Sequence, residues 1–219
     1  MKFGVLGTGM VGEAISTRLI GLGHDVMMGS RSADNPVALE WVARHASRAS
    51  AGTFRDAAGF AEIVVNATMG VASLDALKLA GADRLSGKIL IDVANPLDPS
   101  HGMPPSLAIS NTDSLGERIQ REFSEAKVVK TLNTINCDVM VDPGLISGDH
   151  AVFVSGDDAT AKEYVSSLLR AFGWRSVVDL GGISTARGVE MYLPLWIRLW
   201  GALGHHHFNI QVVNGRKSV

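Results

Sequence analysis

A chain of 219 residues with 46% hydrophobic side chains is long enough for one substantial α/β core and too short for two large domains. Its 20 basic and 22 acidic residues leave a formal net charge of −2, so no overall basic field points to nucleic acid. The single cysteine, Cys137, excludes an internal disulfide and a cysteine-rich metal site. Met1 and Lys2 run straight into the apolar Phe3–Leu6 stretch, which reads as a strand, so a secretory leader is not expected. The apolar stretch from Met191 to Leu203 is broken by Arg198 and falls short of the ~20 residues a membrane span needs. A cytoplasmic protein with neither a membrane nor a nucleic-acid partner is expected.

Short apolar runs alternate with helical patterns through the first two thirds of the chain, the pattern of βαβ units around a mostly parallel sheet. Strands are predicted at residues 2–6, 25–29, 63–67, 88–93 and 128–132, several of them apolar throughout, as strands covered on both faces should be. Helices are predicted at 12–22, 36–50, 74–79 and 114–123. Asn35 and Pro36 supply a cap followed by proline at the first helical position. A smaller block follows, with strands at 151–154, 174–180 and 208–213 and helices at 157–172 and 184–203, the last divided or kinked by Pro194.

The sharpest motif is Gly7-Thr8-Gly9-Met10-Val11-Gly12, which leaves the first strand and opens the first helix. Gly7 permits a tight turn, Gly9 lets the backbone approach a pyrophosphate, and Gly12 lets the helix lie close to the strand. The helix N-terminus adds free N–H groups and a partial positive charge. The fold expected is therefore α/β: a Rossmann-type, doubly wound, mostly parallel sheet at residues 1–150, with a small C-terminal α/β extension at 151–219 on the same core.

An NAD-selective version of this unit carries an acid at the end of the second strand, about 20 residues beyond the glycines. Here Ser30 and Arg31 stand there, a hydroxyl and a guanidinium suited to a 2′-phosphate. Asp34, the rival acid, lies beyond the strand and better fits a turn. The cofactor expected is NADP(H).

These motifs, together with Leu22-Gly23-His24, Val128-Val129-Lys130, Asn133-Thr134-Ile135, Ser155-Gly156-Asp157-Asp158 and the segment from Ala186-Arg187 to Leu195-Trp196, resemble the F420-dependent NADP oxidoreductases over nearly the whole chain. The first two thirds are also similar to the cytosolic domain of the STEAP ferric reductases. The resemblance implies hydride transfer between NADPH and a deazaflavin, coenzyme F420, bound face to face at the C-terminal edge of the sheet. By matching position it implies that Thr8, Gly9, Met10 and Val11 hold the pyrophosphate and that Ser30 and Arg31 hold the 2′-phosphate. Ala67, Thr68 and Met69 would follow the adenosine and ribose, while Asn133, Thr134, Ile135 and Cys137 would line the nicotinamide and acceptor side. Asn35 stands near the place where archaeal members carry a basic residue, which implies a looser grip on the 2′-phosphate.

The residues themselves leave the acceptor open among a deazaflavin, a free flavin, a quinone and a ferric chelate, and a non-catalytic NADPH-sensing module is the alternative from another class. No Tyr-x-x-x-Lys proton-donor pair is present, which favours an acceptor reduced by direct hydride transfer. The run His205-His206-His207, read as leading into a strand, would splay alternate rings to opposite faces and is not expected to bind metal. Tyr192, Leu193, Trp196 and Trp200 form a stripe read as core or homodimer interface, with a lid over the acceptor as the alternative. Arg187 and Glu190 share a helix face and are expected to pair, and Cys137 is read as a buried packing residue.

Overall fold

The computed structural model describes residues 1–45, 47–213 and 215. β1 (Lys2–Leu6) feeds α1 (Met10–Gly21) and returns as β2 (Asp25–Ser30), followed by α2 (Pro36–Arg44), β3 (Ala49–Thr53), α3 (Phe54–Phe60) and β4 (Ile63–Asn66). The chain continues through α4 (Ser73–Ala80), α5 (Ala82–Leu85), β5 (Ile89–Asp92), a short antiparallel pair β6 (Leu97–Asp98) and β7 (Ser106–Leu107), α6 (Leu115–Glu122) and β8 (Lys127–Thr131). It then forms α7 (Cys137–Val141), β9 (Ala151–Ser155), α8 (Ala159–Phe172), β10 (Ser176–Asp179), α9 (Ala186–Met191) and α10 (Leu193–Leu203).

Eight strands form one sheet in the order β10-β9-β8-β5-β4-β1-β2-β3, parallel except where β9 runs antiparallel to β8. Alternate side chains of each strand feed opposite faces. Phe3, Val5, Val65, Ile91 and Val129 pack with Ile15, Leu19, Trp41 and Leu169 on one side. Leu6, Val64, Leu90 and Val128 pack with Phe54, Leu77 and Ile119 on the other. The sheet is therefore covered twice, as the apolar strands require. β2 and β3 lie to one side of β1, and β4, β5 and β8 to the other. The chain reverses direction of winding between β1 and β4, which opens a crevice at their C-terminal ends.

Most boundaries follow local chemistry. Asn35 Oδ1 accepts the Ala38 N–H at 3.1 Å with Pro36 in the first turn of α2. Asp158, not Asp157, caps α8. The predicted helix at 36–50 is too long: α2 stops at Arg44 and residues 49–53 form the edge strand β3. A capping box between Thr53 and Asp56 then starts α3, which the sequence reading omitted. The predicted helix at 184–203 is two helices that meet at Tyr192, with Pro194 in the first turn of the second.

The predicted strand at 208–213 does not form. The segment joins β9 by a backbone bond from Ala151 N–H to Ile210 O at 2.9 Å, and Asn209 donates to Ala151 O. Residues 205 and 206 lie in a bend and 207 in irregular backbone, so the strand geometry invoked against a shared ligand does not hold there. Arg187 and Glu190 do not pair with each other: Arg187 forks onto Glu117, and Glu190 binds the buried Lys130. No helix among the described residues is long and apolar enough to cross a membrane.

Candidate functional site

The turn after β1 is built as its glycines suggest. Gly7 has φ +123°, a conformation L side chains rarely adopt, and its N–H bonds Gly29 O at 2.9 Å, tying the turn to β2. A Cβ on Gly12 would sit 2.1 Å from Gly7 O, so helix and turn approach as closely as backbone allows. Gly9 is the N-cap of α1, no side chain caps the helix, and a Cβ there would meet nothing within 4 Å. The positive end of α1 thus faces open space.

Ser30 ends β2 beside this turn, and Arg31 follows it. Arg31 is exposed and makes no ion pair among the described residues. Ser30 is 5% exposed, and its hydroxyl is already engaged in a turn, bonding Ser32 O at 2.5 Å and accepting the Ser32 N–H at 3.1 Å. It shapes the loop that presents Arg31. Asp34 accepts from the Ser32 hydroxyl, which lowers its pKa, so this acid serves the turn.

The ends of β4, β5 and β8 form the floor of the crevice, and they are held by polar groups that the sequence reading missed. Asn66 Nδ2 donates to Asp92 Oδ1 at 2.8 Å and to Ser73 Oγ at 3.1 Å, while Asn66 Oδ1 accepts from the Thr68 hydroxyl at 2.6 Å. Lys130, 1% exposed, bonds Asp92 Oδ2 and Glu190 Oε1 at 2.9 Å each and donates to Ala94 O. Burial pulls the Lys130 pKa down, but the two carboxylates outweigh it and the net displacement is upward. Glu190 also accepts the N–H groups of Leu115 and Gly116 at the start of α6. After β8, Leu132 has φ +61° and Asn133 N–H bonds Thr131 O at 2.8 Å, a tight turn with its centre in the left-handed region. This turn aims Asn133 at Asn95: Asn133 Nδ2 donates to Asn95 Oδ1 at 2.9 Å, and Asn95 Nδ2 returns a bond to Asn133 O at 2.7 Å.

Above this floor lies a cavity of about 490 Å³. It brings together Met10, Val11, Ala67, Thr68, Met69, Asn133, Ile135 and Cys137 of the predicted set, with Trp196 of α10 as a wall. Gly7, Thr8, Gly9 and Gly12 sit behind Met10 in the turn, and Ser30 and Arg31 lie at the next strand end, outside the cavity itself. Thr134 is 2% exposed and does not line it. Cys137 is half-buried at the first turn of α7 rather than fully buried as read from the sequence. Burial, with Asp138 beside it, pushes its thiol pKa up, which favours the protonated thiol over the thiolate. A wider groove of about 970 Å³ continues past Met10, Asn136, Cys137 and Trp196 along the outer face of α1.

Residues 2–96 match the family described as NADP oxidoreductase, coenzyme F420-dependent. The chain is 30% identical over 213 residues to the F420-dependent NADP reductase of Methanothermobacter marburgensis, covering 91% of this chain and 92% of that protein. It is 31% identical to the rat metalloreductase STEAP3 over 201 residues, which is 89% of this chain but only 38% of that protein. A crystal structure from Arthrobacter sp. FB24, described as a candidate F420-dependent NADP-reductase, superposes with a TM-score of 0.95 at 55% identity, covering 98% of this chain and all of that one. The imine reductase of Streptomyces aurantiacus shares the fold, with a TM-score of 0.66 at 18% identity over 93% of this chain and 63% of its own. The chain belongs to the F420-dependent NADP reductase family and is an NADP-dependent oxidoreductase.

Proposed function

We propose that the protein transfers hydride between NADPH and a flavin-like acceptor, with the deazaflavin coenzyme F420 as that acceptor. The observation that carries this reading is the lining of the cavity: apart from the Cys137 thiol, none of its described residues can ionise. Such a pocket offers no proton shuttle for carbonyl reduction and suits two rings stacked in a dry space, where positioning supplies the rate.

The uncapped start of α1 and the open face of Gly9 fit a diphosphate, so Thr8 to Val11 would hold it through backbone N–H groups. Arg31 would take the 2′-phosphate in a forked pair, on the loop that Ser30 shapes. Ala67, Thr68 and Met69 would lie along the adenosine side. Ile135, Cys137 and the face of Trp196 would exclude water from the reacting rings, while Asn133 fixes the loop through Asn95 and Val189 O. When bound, the nucleotide supplies the hydride from its dihydronicotinamide ring. The exposed Leu195, Trp200 and Leu203 of α10 support a homodimer.

The similarity to metalloreductase STEAP3 favours a second reading, reduction of a free flavin or a ferric chelate. Anaerobic turnover with NADPH deuterated on the nicotinamide ring separates the two. The proposal expects oxidised F420 to be reduced with the label carried into the product without exchange with water. Turnover of flavin or ferric chelate but not F420 would select the second reading, and NADPH binding with no turnover of any of them would overturn both.

A further inference from the structure

The three-histidine run is not absorbed by the nucleotide site. Gly204, with φ +72°, ends α10, and the chain then folds back so that His206 and His207 meet Asp138 of α7. His207 Nε2 lies 3.2 Å and His206 Nε2 3.9 Å from Asp138 Oδ2, and one ligand atom from each residue falls within 4.8 Å of the others. A cation with ligands at about 2.1 Å in tetrahedral array needs them about 3.4 Å apart, a spacing close to the 3.2 and 3.9 Å that separate Asp138 Oδ2 from the two imidazoles. The rings are already ordered by their neighbours. His206 packs edge-on to His207 at 4.8 Å between centroids and edge-on to Trp200 at 6.4 Å, and Asp138 N–H is held by Asn136 Oδ1 at 3.0 Å.

We propose that Asp138, His206 and His207 form a binding site for a divalent transition-metal cation. Two imidazoles and one carboxylate are a nitrogen–oxygen set that zinc, cobalt or nickel accepts, with the remaining positions open to water or to a ligand. All three side chains are partly exposed, so the cation has an entry path. His207 and Asp138 are 69 residues apart in the chain, so an occupied site clamps the segment after α10 onto α7. Asp138 adjoins Cys137, and His206 lines the wider groove, so the clamp sits at the rim of the acceptor side. The inference rests on these three residues and is independent of the acceptor's identity.

The test uses tag-free, chelator-treated protein titrated with Co²⁺, followed by visible absorption, and with Zn²⁺, followed by calorimetry. One equivalent should bind, with ligand-field bands of a nitrogen–oxygen site, and Zn²⁺ should raise Tm. The double variant H206A/H207A should lose affinity by at least about a hundredfold, since loss of even an outer-shell partner costs about ten- to a hundredfold. Asp138→Asn should weaken binding, and His205→Ala should leave it unchanged. Absence of stoichiometric binding, or full affinity in H206A/H207A, would overturn the assignment. A thiolate-to-cobalt charge-transfer band would also overturn it, by moving the ligand set to Cys137.

Discussion

Lys130→Met is expected to lower the folding free energy by about 3–5 kcal/mol, the cost of removing one partner from a buried ion pair. For a chain of this size that is a fall in Tm of roughly 6–20 °C. The loss is large because Asp92 and Glu190 remain, each with an exposure of at most 1%, facing a cation that has gone. Their other partners do not neutralise them: Asp92 keeps Asn66 Nδ2 and the Ala94 N–H, and Glu190 keeps the N–H groups of Leu115 and Gly116. Urea and thermal unfolding measure the change, and a loss below about 1 kcal/mol would show that the three groups do not act as a charged network.

The pH dependence has a definite sign. The folded-state pKa of Lys130 is raised above 10.5, so its contribution is complete below that value and is lost as pH climbs through the raised one. Because Asp92 also holds Asn66, which orders Thr68, the same substitution should loosen the floor of the cavity.

The second large effect separates binding from folding within one motif. Gly9→Leu should leave the protein folded, with at most about 1 kcal/mol lost at the N-cap, yet weaken NADPH binding by more than about a hundredfold. The φ of −80° at Gly9 suits any residue and its Cβ direction is open, so the new side chain projects into the space proposed for the diphosphate. Gly12→Val should fail on both counts, because its Cβ would overlap Gly7 O at 2.1 Å and drive helix and turn apart. Circular dichroism with a nucleotide titration distinguishes the two variants. Normal NADPH affinity in folded Gly9→Leu would remove the diphosphate from the N-terminus of α1.

The first βαβ unit was legible because its signals are local. An apolar run, a glycine turn and an N-cap each act within a few residues, and β1, α1, β2 and the start of α2 follow from them. The edge strand β3 was not legible, since Ala49-Ser50-Ala51-Gly52-Thr53 has little intrinsic strand preference and is recruited by pairing with β2. The site divides in the same way. The residues of the glycine turn and of the strand ends fall where spacing puts them, whereas Ser30 is turned inward by its own hydroxyl and Thr134 is buried. Asp92, Lys130 and Glu190 come from β5, β8 and α9, and no local pattern announces that they meet. Asp138 and the histidines are equally remote in sequence, and reading residues 208–213 as a strand hid their convergence.

Calorimetric titration of NADPH against NADH, on the natural protein and on Arg31→Ala, tests the central claim most directly. The natural protein should bind NADPH about ten- to a hundredfold more tightly than NADH, and Arg31→Ala should erase that difference while leaving NADH unchanged, since one charge-assisted phosphate contact is worth about 1.5–3 kcal/mol. Equal affinities for the two nucleotides in the natural protein, or an undiminished NADPH preference in Arg31→Ala, would contradict it.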